Sequence, residues 1–462
     1  MAIRPSVIVL NHDSGPILVD CLEALLAQRF RDFELLLIDN ASTDGSTHQA
    51  AASFGRDRRL RIVESERNLG CAGGRNLGMA KATGDVFCFV DSDAIAAPDW
   101  LDEVVRAFAK PSTGIVASKQ VFARNPLLLN GLGGTLNAQG YGFDIAFGEP
   151  AEYARLPSAA LFASGNGLCV RREVVEAVGA FDPAYFNYYE DVDLCLRAQR
   201  AGFELALAPG ATLLHFLRSP EGRASAAKQM LCERNRIRTV LRHYPAGRLL
   251  RWLPRELSHE WRARRAGQCG GRTFLGAWRW NLLRTRSVVA FRLKWLRRPW
   301  TAPMRALVLR AWGYAPFKSH NASLVPSESR WSESVTMGAD DDGKLLYGWY
   351  YAERTADGDT YRWSDDLAAV GLRSEKPVTR LKISYLHASP DTETLVSLVH
   401  AETGETWTAK LAPAPNVWTS AAERVELPAG SLRLILRTPA PSRERTGNRR
   451  ALGVAVRDCE VV

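Results

Sequence analysis

Residues 86–93 read Val86-Phe87-Cys88-Phe89-Val90-Asp91-Ser92-Asp93, an apolar run that closes on two carboxylates spaced i, i+2. Its composition reads as a buried strand, so Asp91 and Asp93 stand at a sheet rim that faces solvent or a ligand. An upstream segment repeats the design: Phe33 to Ile38 is a strand, and Asp39-Asn40-Ala41-Ser42-Thr43-Asp44-Gly45 follows it. With Ser6–Leu10 as a first strand and Leu18–Arg29 as a helical crossover, the N-terminal part reads β-α-β-α-β. Right-handed units of this kind place their working residues beyond the carboxyl ends of parallel strands, which predicts that Asp39, Asp91 and Asp93 converge. Carboxylates at i and i+2 can share one hard divalent cation that keeps positions open for phosphate; taken alone, the pair also fits a solvated turn.

The chain of 462 residues exceeds the usual single-domain size, and 46% hydrophobic residues are ample for packed cores, so two folded domains and a connector are expected. The eight cysteines form no CxxC pair and several sit in apolar runs, which reads as buried reduced thiols. Residues 1–10 lack a signal-peptide pattern, and no apolar run reaches the ~18 residues that span a bilayer. A cytoplasmic protein is the expectation.

Charge is unevenly placed. Residues 211–320 hold 24 Lys and Arg against 4 Asp and Glu, whereas the rest of the chain is net acidic. The same segment holds seven of the thirteen tryptophans: Trp252, Trp261, Trp278, Trp280, Trp295, Trp300 and Trp312. Read as one helix, Arg272–Arg298 sets Leu275, Trp278, Leu282, Val289, Leu293 and Leu296 on one side, with Arg272, Arg279 and Arg286 on another. This pattern suits a helix docked on an anionic membrane surface, here as a peripheral protein on the inner face of the cytoplasmic membrane. The competing reading is a connector that packs its apolar stripe inward and leaves its arginines solvated. Nucleic-acid binding is disfavoured, because no recognised motif accompanies the charge.

Beyond about residue 330 the texture changes to short alternating strands, among them Leu345–Ala352, Val378–Leu386, Thr394–His400, Thr406–Leu411, Ser431–Arg437 and Ala451–Val456, with turns at Glu402-Thr403-Gly404 and Pro428-Ala429-Gly430. An all-β sandwich of jelly-roll type is expected, and Trp349, Tyr350, Tyr351, Tyr361 and Trp363 are available for sugar stacking or for its core. The predicted division is 1–245, an α/β domain; 246–325, the basic Trp- and Arg-rich helical connector; and 335–462, the β-sandwich.

Six segments occur in order: SVIVLNH at 6–12, DNASTDGS at 39–46, NLGCAGGRNLG at 68–78, GDVFCFVDSD at 84–93, SGNGLCVRRE at 164–173 and FNYYEDVDLCLRAQRAGF at 186–203, followed by His215. In these the chain resembles glycosyltransferase family 2 enzymes of the GT-A fold, in particular the bacterial branch with rhamnosyl- and galactofuranosyltransferase-like proteins. The resemblance covers somewhat less than half of the chain. It implies a mostly parallel α/β sheet and inverting, metal-dependent transfer of a sugar from a nucleoside-diphosphate donor (UDP- or dTDP-linked) to a glycan or lipid-linked oligosaccharide. By the same resemblance Asp39 and Asn11 serve the nucleotide base, and Gly73, Gly74, Arg75, Asn76 and Ser92 lie along base or diphosphate. Asp93, Asp91 and His215 hold Mn²⁺ or Mg²⁺, Asp91 with the ribose as an alternative contact. Asp191 is the catalytic base, with Glu190 orienting the acceptor or sharing the proton. Asp193 is expected only to pair with Arg197 at i+4, which is worth ~0.5 kcal/mol or less. A processive synthase is disfavoured by the absence of a QxxRW motif. The competing class is a non-catalytic glycan-binding or scaffolding protein that keeps the fold.

Overall fold

The computed structural model describes residues 3–123, 125–149, 151, 158–216, 226–265, 271–295, 297–308, 332, 334–337, 345–349, 353–354, 359–387, 394–412, 417–438, 442–443, 451–452 and 454–462. The chain divides into two compact units: Met1–Ala123, Leu129–Phe147 and Arg155–Pro316 form the first, and Arg124–Leu128, Gly148–Ala154 and Phe317–Val462 the second.

Chain order runs β1 (Pro5–Asn11), α1 (Ile17–Leu26), β2 (Glu34–Asp39), α2 (Ser46–Phe54), β3 (Leu60–Glu64), α3 (Gly70–Lys81), β4 (Val86–Asp91), β5 (Ala94–Ala96), α4 (Trp100–Ala107), β6 (Thr113–Phe122) and β7 (Asn125–Leu132). There follow β8 (Gly134–Leu136), β9 (Gly142–Asp144), β10 (Leu168–Arg171), α5 (Arg172–Val178), α6 (Glu190–Arg200) and β11 (Glu204–His215). The main sheet has the order β3-β2-β1-β4-β10-β6-β11-β5. β1, β2, β3 and β4 are parallel, as is the β6–β11 pair, while β10 lies antiparallel between β4 and β6.

Both faces of the sheet are covered, which is why β2 and β4 read as unbroken apolar runs. Ile8, Leu36, Ile38, Phe87 and Phe89 face one core with Ala72 and Met79 of α3 and Val192 and Leu194 of α6. Val7, Val9, Leu35, Leu37, Cys88 and Val90 face the other with Leu18, Cys21, Leu22 and Leu25 of α1 and Trp100 and Leu101 of α4. Cys21, Cys88, Cys169 and Cys195 are buried free thiols.

Register sets the rim. Asn11 pairs with Asp39 and Leu10 with Asp91, so β1, β2 and β4 end together. The last residue of β11, His215, pairs with Ala94 immediately past Asp93, and the sheet thereby delivers the histidine to the two carboxylates.

The basic segment is no separate connector. Helices α7 (Ala226–His243), α8 (Ala246–Arg265), α9 (Gly271–Leu282), α10 (Thr285–Lys294) and α11 (Ala302–Leu307) belong to the first unit. Ile237, Val240, Tyr244, Trp252, Ala277, Phe291, Trp295, Trp300 and Met304 share the core of Ile8 and Phe89. The single helix read over Arg272–Arg298 is broken between Leu282 and Thr285. Trp278 is half-buried, its ring 5.8 Å from that of Trp252, and with Trp252, Trp295 and Trp300 it supplies core and not a solvent-facing stripe; the Trp261 side chain lies outside the described residues. What stays outside is leucine and arginine. Leu250, Leu253, Leu257, Leu275, Leu282, Leu283, Val289 and Leu293 are exposed, as are Arg251, Arg255, Arg279, Arg284 and Arg286. The Arg272 side chain, Leu296 and Trp312 lie outside the described residues.

The second unit is all antiparallel. It contains β12 (Ser334–Thr336), β13 (Leu345–Trp349), β14 (Glu353–Arg354), β15 (Thr360–Ser374), β16 (Val378–His387), β17 (Thr394–His400), β18 (Thr406–Leu411), β19 (Thr419–Leu427), β20 (Gly430–Arg437), β21 (Ser442–Arg443), β22 (Ala451–Leu452) and β23 (Val454–Val461). The principal order is β18-β17-β20-β15-β23-β16-β19. Long β15 pairs with β20 through Leu367–Ser374 and with β23 through Arg362 and Trp363, so one strand passes from one layer to the other and the unit is a β-sandwich. Val370, Leu381, Ile383, Val396, Leu398 and Leu434 fill it. Tyr350, Tyr351 and the side chains of Trp349, Tyr361 and Trp363 lie outside the described residues.

Asp193 departs from its expected surface pairing. It is 0% exposed, with Arg197 Nε at 2.8 Å, His243 Nε2 at 2.8 Å, Tyr185 Oη at 3.3 Å and Arg242 at 3.4 Å. Burial opposes its charge, but Arg242, Arg197 and His243 hold it well below the usual carboxylate range. Asp193→Asn leaves two buried guanidinium groups short of a counter-charge. It is predicted to destabilise the first unit by about 3–5 kcal/mol in denaturant unfolding, well above the value for an exposed i, i+4 pair.

Candidate active site

Asp91, Asp93 and His215 each offer a ligand atom, and these atoms lie within 4.8 Å of one another. His215 Nδ1 is 2.9 Å from Asn130 Oδ1, which fixes the ring with Nε2 turned toward Asp93 Oδ1 at 3.5 Å. Burial lowers the affinity of His215 for a proton, but Asp93, Asp91 and Asp144 more than reverse this and raise its pKa. Two carboxylates and an imidazole braced from its far side could hold a divalent cation, because the donor types are right and the second partner sets the tautomer.

The other corner is built by the start of α6. Phe186, Tyr188 and Tyr189 all have positive φ (65°, 70° and 69°), a left-handed backbone that non-glycine residues enter only when their surroundings impose it. The surroundings are evident. Asn235 of α7, 0% exposed, directs its amide at the carbonyls of Tyr185, Asn187 and Tyr188 (2.9, 2.8 and 2.9 Å). Asn187 Oδ1 accepts from the Cys71 N–H at 2.6 Å, and Ala72 N–H donates to the Phe186 carbonyl. This clamped turn presents Glu190 and Asp191. Asp191 Oδ2 accepts from Gly165 N–H and Oδ1 from Val192 N–H, both at 2.8 Å. Glu190 is buried, and its Oε2 has no partner among the described residues. Burial and then the neighbouring Asp191 push Glu190 up to about 8, Arg75 acting against them. Asp191 is raised too, chiefly by burial. The two acids cannot both ionise cheaply beside a single cation, so each holds its proton more tightly than it would alone.

Arg75 joins the corners. It is 4% exposed, donates to Glu190 Oε1 at 2.8 Å and to Asp91 Oδ1 at 3.1 Å, and a Cβ on Gly165 would come within 2.5 Å of its guanidinium. Asn166 ties the same elements, since its Oδ1 accepts from Asp91 N–H at 3.1 Å. Candidate metal ligands and candidate base therefore occupy one rim.

Residues 6–179 match the sequence model of glycosyl transferase family 2. The first unit contains a family 2 glycosyltransferase domain. Glycosyltransferase GlyG of Streptococcus pneumoniae is 31% identical over 24% of this chain and 37% of its own length. O-antigen biosynthesis protein RfbC of Myxococcus xanthus is 28% identical over 46% of this chain and 17% of its own. The chain thus spans well under half the length of either relative. Mannosyltransferase PcManGT of Pyrobaculum calidifontis, solved with GDP-Man and Mn²⁺, is 18% identical with a TM-score of 0.41 over 66% of this chain and 83% of that one. The mixed sheet of the glycosyltransferase domain, with acidic residues at the ends of β2 and β4, is a GT-A fold.

Within this glycosyltransferase domain several residues expected along the nucleotide have other partners. Gly73 and Gly74 sit inside α3, where a Cβ would strike Leu69 at 2.7 Å and Leu10 at 2.3 Å; Gly74, with Gly78 against Ile8, lets the helix lie on β1. Asn76 is bound to the backbone of Phe181 in both directions, at 2.9 and 3.0 Å. Arg75 is engaged by Asp91 and Glu190. Ser92 Oγ is 2.5 Å from Ser14 Oγ. Asn11, 0% exposed, turns its amide to Ser42, Ser46 and Thr47 at 3.1, 2.9 and 2.8 Å, and so pins the loop after Asp39. Asp39 accepts from Ser42 N–H at 3.1 Å and is only slightly exposed.

Sequence reading passed over Asn130, Asn166 and Asn235, whose amides work on backbone or ring atoms, and Asp144, which accepts from Ser164 Oγ. Burial pushes Asp144 up to about 6, with Asp191 adding to it. The polar braces are testable. Asn130→Ala is predicted to lower Mn²⁺ affinity ~10–100-fold by calorimetry, because His215 loses its orienting partner. Asp93→Ala, which removes a ligand outright, should lower it further.

Proposed function

We propose that the protein is a metal-dependent, inverting glycosyltransferase that moves a sugar from a nucleoside-diphosphate donor, UDP- or dTDP-linked, to a glycan or lipid-linked glycan in cell-surface polysaccharide synthesis. The observation that carries this reading is the meeting of the Asp91, Asp93 and His215 cluster with the Glu190–Asp191 pair through Arg75. The name of the RfbC relative supports the polysaccharide context.

The chemistry follows from placement. Asp39, at the end of β2, meets the base. Asp91, Asp93 and His215 would hold Mn²⁺ or Mg²⁺, with the imidazole favouring Mn²⁺, and such an ion offsets charge developing on the leaving diphosphate. Asp191 removes the acceptor hydroxyl's proton from the face opposite the departing group. It is fixed by two backbone N–H donors yet raised in pKa, which brings a carboxylate closer to the range useful to a general base. Glu190 buffers the proton load beside it, and Arg75 keeps the three acids from repelling one another.

Asp191→Asn is nearly isosteric but cannot take the proton. With a donor identified from a panel of nucleotide sugars, turnover is predicted to fall at least ~10²-fold while donor affinity stays nearly constant. Binding of no nucleotide sugar by the wild-type protein would favour the glycan-binding scaffold instead.

The same reading places the protein against an anionic membrane surface, where a lipid-linked acceptor would be met. No helix among the described residues is long and apolar enough to cross a membrane. On α8, Leu250, Leu253 and Leu257 are 78%, 44% and 51% exposed, with Arg251 and Arg255 beside them, and α9 and α10 add Leu275, Leu282, Leu283 and Leu293 among arginines. Exposed leucine interleaved with arginine suits shallow insertion plus attraction to acidic headgroups. Co-sedimentation with phosphatidylglycerol vesicles is predicted to weaken steeply with salt and to be lost in a Leu250→Ser, Leu253→Ser double variant.

A further inference from the structure

The sequence motifs leave the β8–β9 hairpin without a role, yet it carries a carboxylate into the middle of the site. Two neighbouring contacts locate it. Ser164 Oγ donates to Asp144 Oδ1, and the next residue, Gly165, donates its N–H to Asp191 Oδ2 at 2.8 Å. On the other side Gly131 lies against Asp144, where a Cβ would come within 2.8 Å of the Asp144 Cβ, and the preceding residue, Asn130, holds His215 Nδ1 at 2.9 Å. Asp144 is thus one residue step from the support of the candidate base and one from the support of the metal-site histidine, each step being ~3.8 Å between Cα atoms.

Its partners are also informative. The other acids of the site are in contact with a cationic group or a pair of N–H donors: Asp91 and Glu190 have Arg75, Asp93 has His215, and Asp191 has two backbone amides. Among the described residues Asp144 is bound by the Ser164 hydroxyl and pairs with no arginine or lysine, while His215 acts on it electrostatically without a hydrogen bond. A half-buried carboxylate left this way is costly for stability, and it is well suited to accept hydrogen bonds from neutral hydroxyl groups.

We propose that Asp144, clamped by Ser164, positions the transferred sugar by accepting hydrogen bonds from its ring hydroxyls. The sugar of a nucleotide donor must lie between the diphosphate and the base that receives the acceptor's proton, and Asp144 stands between those two centres. The inference rests on the glycosyltransferase reading and adds to it a residue that reads the sugar and not the nucleotide.

The test separates sugar from nucleotide. In Mn²⁺, calorimetry compares the free nucleoside diphosphate with its sugar conjugate for the wild type, Asp144→Asn, Asp144→Ala and Ser164→Ala. Asp144→Ala is expected to weaken the conjugate about 10–100-fold, as for loss of hydrogen bonds to a charged group, with nucleoside diphosphate affinity unchanged. Ser164→Ala should cause a smaller loss of the same kind. A donor lacking the hydroxyl that Asp144 reads should bind wild type and Asp144→Asn alike. Equal losses for nucleoside diphosphate and conjugate, or no loss for the conjugate in either Asp144 variant, would overturn the inference while leaving the glycosyltransferase reading intact. A wild-type protein that binds no nucleotide sugar at all would overturn both.

Discussion

Arg75 reaches from α3 to Asp91 at the end of β4 and to Glu190 at the head of α6, and the candidate site depends on that bridge. Three acids gather in a space with little water, where their mutual repulsion is weakly screened. One guanidinium with a rigid fork of donors satisfies two of them at once and fixes the angle between sheet rim and helix. Its seat depends on small residues: Gly165 leaves room for the guanidinium, and Gly74 lets α3 settle on Leu10 of β1. The NLGCAGGRNLG segment is therefore best understood as a packing device that delivers a charge.

Much of this was legible in the sequence. Strands ending on Asp39 and Asp91 followed from apolar runs that need cover on both faces, and the late histidine from the family resemblance alone. For Gly73, Gly74, Asn76, Asn11 and Ser92 the structure adds contacts within the scaffold that their spacing does not disclose. A polar or flexible residue near a ligand-binding rim can serve the ligand or the scaffold, and its type and spacing are the same in both cases. Asp193 shows the same ambiguity: i, i+4 spacing revealed Arg197 but not Arg242, His243 and Tyr185, which arrive from distant parts of the chain. Strands β15 and β19 escaped notice because one runs through two layers and the other, TSAAERVEL, alternates too weakly to stand out.

Asn235 marks the limit of local reading. It sits in a helix of mixed polar composition with nothing in its neighbours to distinguish it, yet its amide meets the three carbonyls that hold the left-handed turn before Glu190. Backbone of that kind persists only when its surroundings over-determine it, and here the surroundings lie about fifty residues downstream.

The packing of α7–α11 into the same core as β1 and β4 has a consequence for how this domain can be divided. The match to the family 2 sequence model ends at residue 179, and the rim residues end at His215, but neither point is a place where the fold becomes self-sufficient. A chain ended at His215 would keep every acid of the site and lose both the amide that shapes their turn and the aromatic floor supplied by Tyr244, Trp252, Phe291 and Trp300. The unit that natural recombination or deliberate grafting could move intact therefore extends at least through α11, and the Arg-rich segment travels with the chemistry as part of its foundation.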